Sequence, residues 1–141
     1  MLVELQEFER QIDPRMTPGN DMAADYLKFM LNRCEQHKGK IFLSTVEGNP
    51  VGFVTLLTEC DSEEVEKGVF QYAMISDLLV KNDYRGAGHG KALLKTAEQY
   101  AVAQNVRWLR IGALTGNDNA ANLYSSLGFK DIYVEMEKSL E

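Results

Sequence analysis

NDYRGAGHGKALL, residues 82–94, joins an apolar run to a segment with helical spacing. It places Arg85 in front of three alternate glycines, Gly86, Gly88 and Gly90. A glycine-rich turn before a helix leaves backbone N–H groups free at the positive end of the helix dipole. The stretch therefore predicts an anion-binding loop, and the alternative is an ordinary flexible turn.

Three phosphate-binding patterns compete for this loop, and the spacing separates them. The P-loop pattern needs a glycine where Arg85 stands and a hydroxyl where Ala92 stands. The dinucleotide pattern needs a small residue where Lys91 stands, and it belongs after a first strand rather than in mid-chain. The pattern that fits is R-x-x-G-x-G over residues 85–90.

The elements next to the loop follow from hydrophobic periodicity. Residues 69–80 are typical of a long strand whose apolar end is buried on both faces. Residues 90–104 have one apolar helical face, and residues 106–114 alternate like a strand, so that the three segments predict a βαβ unit. Upstream, residues 40–46 and 51–57 predict a hairpin.

The two ends of the chain are predicted from weaker patterns. Residues 2–8 alternate and predict a first strand, and residues 22–37 predict a helix. Near the other end, residues 117–127 predict a short helix, and residues 129–140 predict a last strand or a tight strand pair.

Composition limits the class of protein. A chain of 141 residues that is 45% hydrophobic suits a single domain, residues 1–141. The net charge of -6 argues against nucleic-acid binding and favours cationic partners. No stretch is apolar enough to span a membrane, so we expect a cytoplasmic protein that binds no membrane. Cys34 and Cys60 lack metal-ligand spacing, and no metal is expected.

A second motif makes the pattern more specific. N-x-x-A-x-x-L-Y-x-x-L-G-F occupies residues 117–129, downstream of the glycine loop and on the predicted short helix. With these two motifs in order, the chain resembles the GNAT superfamily of N-acetyltransferases. The resemblance covers residues 69–140 by motif and residues 40–57 by pattern, and it is weak over the first forty residues.

The resemblance implies a fold and a co-substrate. The fold is α/β, with a mixed, mostly antiparallel central sheet flanked by helices and splayed between the predicted fourth and fifth strands. The co-substrate is acetyl-CoA, whose pantetheine arm would pair with the backbone of the fourth strand and whose pyrophosphate would lie on the loop amides. The implied cofactor-binding residues are Leu78, Leu79, Val80, Arg85, Gly86, Ala87, Gly88, His89, Gly90, Lys91, Asn117 and Ala120.

Tyr124 is the residue implied to protonate the departing CoA thiolate, because the matching tyrosine is the usual general acid of the family. The alternative is an aromatic core residue of a short amphipathic helix. Asn117, in the same motif, could bond the pantetheine amides or simply cap the helix.

The general base is less well defined by the sequence. In the polyamine-acetylating branch of the family the acid directly before the aspartate is a glutamate, and here that position is Ser76. Asp77 is then the best-placed carboxylate, acting through water, or else a structural acid beside the cofactor. Tyr72 and Glu59 are weaker candidates. Positioning of the amine could also supply most of the acceleration.

The expected function is direct transfer of an acetyl group to a primary amine, with a small cationic acceptor preferred over a peptide N-terminus or a protein lysine. The acidic run over residues 59–66 could attract that cation, or could be a solvated loop. A CoA-binding regulatory or interaction module and another type of nucleotide-binding protein remain the alternatives. A homodimer is possible because dimers are common in the family.

Overall fold

The computed structural model describes residues 1–141, whose helices and strands are built around one four-stranded sheet. The helices are α1 (Leu2–Ile12), α2 (Gly19–Gln36), α3 (His89–Ala103) and α4 (Asp118–Ser126). The strands are β1 (Lys40–Val46), β2 (Asn49–Asp61), β3 (Gln71–Val80) and β4 (Leu109–Ile111). Single 3-10 turns at Val65–Lys67 and Asn82–Tyr84 flank β3.

The sheet has the order β1-β2-β3-β4 and mixed strand directions. The pairs β1-β2 and β2-β3 are antiparallel, and β3-β4 is parallel with α3 as its crossover. These pairings confirm the predicted hairpin, the βαβ unit and the mixed, mostly antiparallel sheet. In this numbering the predicted fourth and fifth strands are β3 and β4.

Helices cover both faces of the sheet. On one face α1 and α2 bury a small cluster made by Met30, Phe53 and Leu79. On the other face α3 contributes half of the larger cluster, whose members are Val54, Leu56, Ala73, Ile75, Leu93, Leu94, Ala97 and Ala101. Side chains of α4 pack at the margin of that second cluster.

β3 carries a bulge at Ser76, because Ile75 and Asp77 pair with consecutive residues of β2 and Ser76 pairs with none. In a regular strand Ile75, Asp77 and Leu79 would face the same side of the sheet. The extra residue instead moves the side chains that follow it to the opposite face of the sheet. Ile75 packs in the cluster beneath α3, whereas Leu79 packs beneath α1 and α2. Asp77 therefore faces α2.

The parallel pair is short and then opens. β3 pairs with β4 only from Ala73 to Ile75, and beyond the bulge the remaining residues of β3 have no neighbour on that side. Residues 112–114 follow β4 away from β3 and line the opening. The predicted splay is confirmed, and the predicted strand over residues 106–114 is reduced to three residues because its second half has left the sheet.

Two terminal predictions are wrong. Residues 2–8 are not a strand but the first part of α1: positions 2, 5, 9 and 12 share one helix face, and the segment is rich in Leu, Glu and Gln, which favour helices. Residues 129–140 form no regular strand, although their pattern is strand-like. The three-residue β4 offers them too short an edge for pairing.

No helix of the chain combines the length and the hydropathy that crossing a bilayer would require.

Candidate functional site

The splay between β3 and β4 opens into a cleft of about 1390 Å³. Side chains from α1 and α2 form one wall, and the glycine loop and α4 form another. Of the cofactor-binding residues and the two main catalytic candidates named from the sequence, only Ala87 does not line it. Those that do are Asp77, Leu78, Leu79, Val80, Arg85, Gly86, Gly88, His89, Gly90, Lys91, Asn117, Ala120 and Tyr124.

The loop between β3 and α3 presents a row of unbonded amides. None of the backbone N–H groups of residues 86–91 donates to an acceptor within the protein. Gly86 and Gly88 adopt φ of +77° and +89°, which L side chains rarely adopt, and the space beside each is open. Amides left free at the first turn of a 15-residue helix form an anion-binding site.

Arg85 is held in place from two sides. Its Nε donates to the carbonyl oxygen of Val80 at 2.9 Å, and its guanidinium carbon lies 4.8 Å from the centre of the Phe8 ring. The stacking on Phe8 connects α1 to the loop and fixes a positive charge at the cleft. The sequence did not indicate Phe8, because α1 was expected to be a strand.

His89 is engaged through its side chain as well as its backbone. Nδ1 of its ring lies 2.7 Å from Oγ of Ser44 in β1, and the ring meets Tyr84 edge-on. The side chain is thereby held between β1 and the turn that precedes α3. This arrangement suits a structural role for the imidazole.

Asn117 caps α4: its Oδ1 accepts from the amide of Ala120 at 3.2 Å. The capping alternative is thus observed, and the side-chain amide nitrogen stays available at the cleft.

Tyr124 belongs to the core and to the cleft at once. Its ring packs edge-on against Phe129, with centroids 6.0 Å apart, at the margin of the cluster beneath α3. Its hydroxyl makes no hydrogen bond within the protein, and the residue lines the cleft. Burial raises the pKa of Tyr124, and the negative charge of Glu9 raises it further. The phenol therefore keeps its proton in the resting site.

Both carboxylate oxygens of Asp77 accept hydrogen bonds. The Tyr26 hydroxyl of α2 donates to Oδ1, and the Ser76 hydroxyl donates to Oδ2 at 2.7 Å. Burial, and then the bond to Asp77, raises the pKa of Tyr26, which remains a donor. Tyr26 was not foreseen, because no pattern within α2 distinguishes it from a core aromatic residue.

Glu9 is the second carboxylate of the cleft, and the sequence prediction missed it. Its side chain lines the cleft from α1. Burial raises the pKa of Glu9, and the charge of Asp77 adds to the effect, while no hydrogen bond lowers it. The signal that could have found it is an acid within an otherwise apolar helix stripe, which becomes visible only once residues 2–12 are recognised as helical.

The acidic run over residues 59–66, which covers the end of β2 and the start of the loop to β3, lies away from the cleft. Glu59 pairs with Lys38 at 2.6 Å, and Glu64 pairs with Arg110 and Lys67 at 2.8 Å each. None of its acids lines the cleft, nor does Tyr72. Of the two interpretations of this run, the structure favours the solvated loop.

Together these features fit a ligand with an anionic group and an extended polar arm. The anion would lie on the amides of residues 86–91, and the arm would run along the unpaired edge of β3. The same cleft is lined by a protonated phenol, Tyr124, and by two carboxylates, Asp77 and Glu9. Such a set can hold a cation and move protons.

Comparison with known proteins agrees with this arrangement. The family model described as the Acetyltransferase (GNAT) family matches residues 4–129. An uncharacterised N-acetyltransferase of Methanocaldococcus jannaschii is 33% identical over 109 residues, which are 75% of this chain and 44% of that protein. The thialysine N-epsilon-acetyltransferase of Bos taurus is 34% identical over 58 residues, 41% of this chain and 34% of that protein. The chain thus spans less than half the length of these two relatives.

Among solved structures, a putative acetyl transferase from Pyrococcus furiosus has a similar fold. It superposes with a TM-score of 0.73 at 23% identity, over 97% of this chain and 92% of that one. The fold likeness includes α1 and α2, the part of the chain for which the sequence motifs are weakest.

Proposed function

The chain belongs to the GNAT family of acetyltransferases, and on that premise we propose that it transfers an acetyl group from acetyl-CoA to a primary amine of a small cationic acceptor. Transfer is direct, within a ternary complex. The observation that carries the proposal is the cleft itself, in which the unbonded amides of residues 86–91 and the proton-handling groups Tyr124 and Asp77 line one opening of the sheet.

Acetyl-CoA fits the chain's own groups. Its pyrophosphate suits the free amides of residues 86–91, with Arg85 and Lys91 at the same cleft for charge. Its pantetheine amides suit the free edge of β3 at residues 78–80, in the manner of an added strand. The co-substrate supplies an activated acetyl thioester, and the side-chain amide of Asn117 can bond the arm.

Tyr124 is the proposed proton donor. Its hydroxyl has no partner within the protein, and its raised pKa keeps it protonated until a stronger base forms beside it. The CoA thiolate is such a base, so the proton moves to sulfur as the carbon–sulfur bond breaks.

Asp77 is proposed to act on the acceptor side of the cleft. Its two hydrogen bonds, from Tyr26 and Ser76, fix a negative charge where an ammonium group would enter. With both oxygens already accepting, this carboxylate is better suited to positioning the cation than to taking its proton.

A small acceptor with a positive charge is favoured by this side of the cleft. Asp77 and Glu9 both face the opening, and an ammonium group is their natural counterion. The name of the thialysine N-epsilon-acetyltransferase, which matches in part, also describes transfer to an amine of a small amino acid. A peptide N-terminus or a protein lysine is the other acceptor class, and the screen below includes it.

The first experiment measures binding and turnover on the same sample. Saturating acetyl-CoA should stabilise the chain by about 2.7 kcal/mol at a hundredfold excess over its Kd, a rise in melting temperature of several degrees. ATP and NAD serve as controls and should give less. Thiol release is then followed with 1,4-diaminobutane, thialysine, a lysine-containing peptide and a free peptide N-terminus.

The outcomes separate the candidate functions. Selective stabilisation by acetyl-CoA with turnover of a small amine supports the proposal. Stabilisation without turnover of any amine favours a CoA-binding module, and a larger shift with ATP or NAD overturns the assignment of the glycine loop. The free thiols of Cys34 and Cys60 suit the reducing cytoplasm proposed as the location. The homodimer stays a prediction, to be checked by light scattering.

A further inference from the structure

Glu9 occupies an unusual position on α1. Residues 2, 5, 9 and 12 fall on one helix face, and Glu9 is the one charged residue among three aliphatic ones. Leu2 and Leu5 pack against the cluster beneath α1 and α2. At the other end Ile12 lies beside Gly116, in the loop between β4 and α4. The stripe therefore crosses from the β3 side of the cleft to the α4 side, with Glu9 in between.

A carboxylate in an apolar stripe is normally paired. The side chain of Glu9 has neither a hydrogen bond nor an ion pair within the protein, although Glu7 on the same helix has both. The charge that acts on the pKa of Glu9 is that of Asp77, which has the same sign. Glu9 is thus a half-buried acid of the cleft that no group of the protein pairs with.

The two carboxylates of the cleft differ in what holds them. Asp77 accepts from Tyr26 and from Ser76, so both of its oxygens have a partner. Both oxygens of Glu9 are free to receive a proton. Burial and the Asp77 charge also make protonation of Glu9 more favourable than in water.

We propose that Glu9 is the general base that takes the proton from the acceptor ammonium, while Asp77 positions that cation between the two carboxylates. The inference rests on the proposed function and adds a catalytic residue from α1. It also favours acceptors whose reactive amine carries a full positive charge in solution, since only these supply a counterion to both acids.

The proton balance closes with the groups present. The ammonium gives one proton to Glu9, and the neutral amine then forms the nitrogen–carbon bond to the thioester carbonyl. As the carbon–sulfur bond breaks, Tyr124 protonates the sulfur and regains a proton from the nitrogen, directly or through water. Glu9 releases its proton to solvent, so the products are an amide, free CoA and one proton.

The other charged and titratable groups of the cleft belong to different elements. Tyr26 and Arg33 belong to α2, and Arg15 lies in the segment between α1 and α2. Arg15 is already bound to Asp13 at 2.7 Å and to Glu137 at 2.8 Å. The remaining cations and titratable groups, Tyr84, Arg85, His89 and Lys91, belong to the glycine loop and its flanks. The charged and titratable groups that share the acceptor side of the cleft with Glu9 are therefore Asp77, Tyr26, Arg33 and Tyr124.

The test compares Glu9→Gln, Asp77→Asn and Glu4→Gln in the full chain, with 1,4-diaminobutane and thialysine as acceptors. Glu4 is the matched control, because it lies exposed on the same helix and outside the cleft. Glu9→Gln should lower kcat/KM for the amine by about 10²-fold at neutral pH. It should also move the ascending limb of the pH profile from the pKa of Glu9 to the higher pH at which the acceptor amine loses its own proton, and leave KM for acetyl-CoA unchanged.

A weakly basic acceptor separates base catalysis from loss of structure. 2,2,2-Trifluoroethylamine is largely neutral at neutral pH and needs no base, so Glu9→Gln should acetylate it about as well as the wild type does. Glu9→Asp, which keeps the carboxylate, should leave the ascending limb close to its wild-type position. Asp77→Asn should raise KM for the cationic amine more than it lowers kcat.

Each outcome decides the matter. An unchanged pH profile and rate in Glu9→Gln, with wild-type turnover intact, overturns the role of Glu9 and leaves the proposed function standing. Equal losses with the fluorinated and the cationic amine show that Glu9 only supports the fold, which also overturns it. If the wild type binds acetyl-CoA yet acetylates no amine, the proposed function fails, and the inference fails with it.

Discussion

The hydroxyl of Tyr26 in α2 donates a hydrogen bond to Oδ1 of Asp77 in β3. This bond exists because the bulge at Ser76 turns Asp77 to the α2 side of the sheet. It joins the hydrogen-bonded carboxylate of the acceptor side to a helix that also packs on the sheet through Met30. The bond thus fixes α2 relative to β3 on the acceptor side of the cleft.

The coupling between Tyr26 and Asp77 is measurable. In a double-mutant cycle of Tyr26→Phe and Asp77→Asn, followed by urea unfolding, we expect a coupling free energy of about 1.5 kcal/mol, as for a hydrogen bond to a charged group. Tyr26→Phe paired with Glu4→Gln is the control cycle and should be additive. Additivity in the first cycle as well would mean that the bond contributes nothing to stability.

Tyr124→Phe tests the proton donor. The substitution keeps the ring packing against Phe129 and removes only a hydroxyl that has no partner in the protein. We expect kcat to fall by about 10²-fold, with KM for acetyl-CoA and the melting temperature nearly unchanged. Thiol-release assays measure kcat and KM, and thermal melts measure the melting temperature.

Tyr100→Phe is the matched control for Tyr124→Phe. Tyr100 packs against the same core cluster, with its ring edge-on to Phe42, but lies outside the cleft. Its variant should keep full activity. Equal rates for all three proteins would remove Tyr124 from the chemistry.

Gly88→Ala tests whether the glycine loop binds acetyl-CoA, and Gly48→Ala is its matched control. Gly88 has φ +89° and Gly48, in the turn between β1 and β2, has φ +79°, and both have open space beside them. Alanine at either position should cost about 1–2 kcal/mol of stability, because its Cβ disfavours left-handed backbone. Only Gly88→Ala places a methyl group in the cleft, so only this variant should raise KM for acetyl-CoA, as measured by initial rates. Equal KM in both variants would contradict the loop's role.

The glycine loop and its two flanking elements were predictable because they rest on local signals, whereas the splay was implied by the family resemblance. Glycine spacing, a strand of continuous apolar residues and a helical stripe all lie within residues 69–104. The same holds for the capping role of Asn117, which depends on residues three positions apart.

The hydrogen-bonded setting of Asp77 and the presence of Glu9 in the cleft were not predictable, for physical reasons. The position of Asp77 depends on a bulge, which is a mismatch of pairing between two strands and leaves no mark in either one alone. Glu9 becomes conspicuous only on a helix, and residues 2–8 were predicted as a strand. Helical periodicity over residues 2–12 competes with partial alternation in so short a segment, and packing on α2 decides between them.

The pH dependence of stability checks the environment of Glu9 independently of turnover. Since the folded state raises the pKa of Glu9, it binds this proton more tightly than the unfolded chain, and stability falls as pH rises from the usual glutamate pKa through the folded value. Glu9→Gln removes that loss, so its melting temperature relative to the wild type should increase from acidic to neutral pH. Glu7→Gln is the opposite control: the amide of Gly19 lowers the pKa of Glu7, whose stabilisation is present at neutral pH and lost on acidification. Melting curves with the same trend for both variants would show that Glu9 is solvated like a surface acid and would contradict its assignment to the cleft.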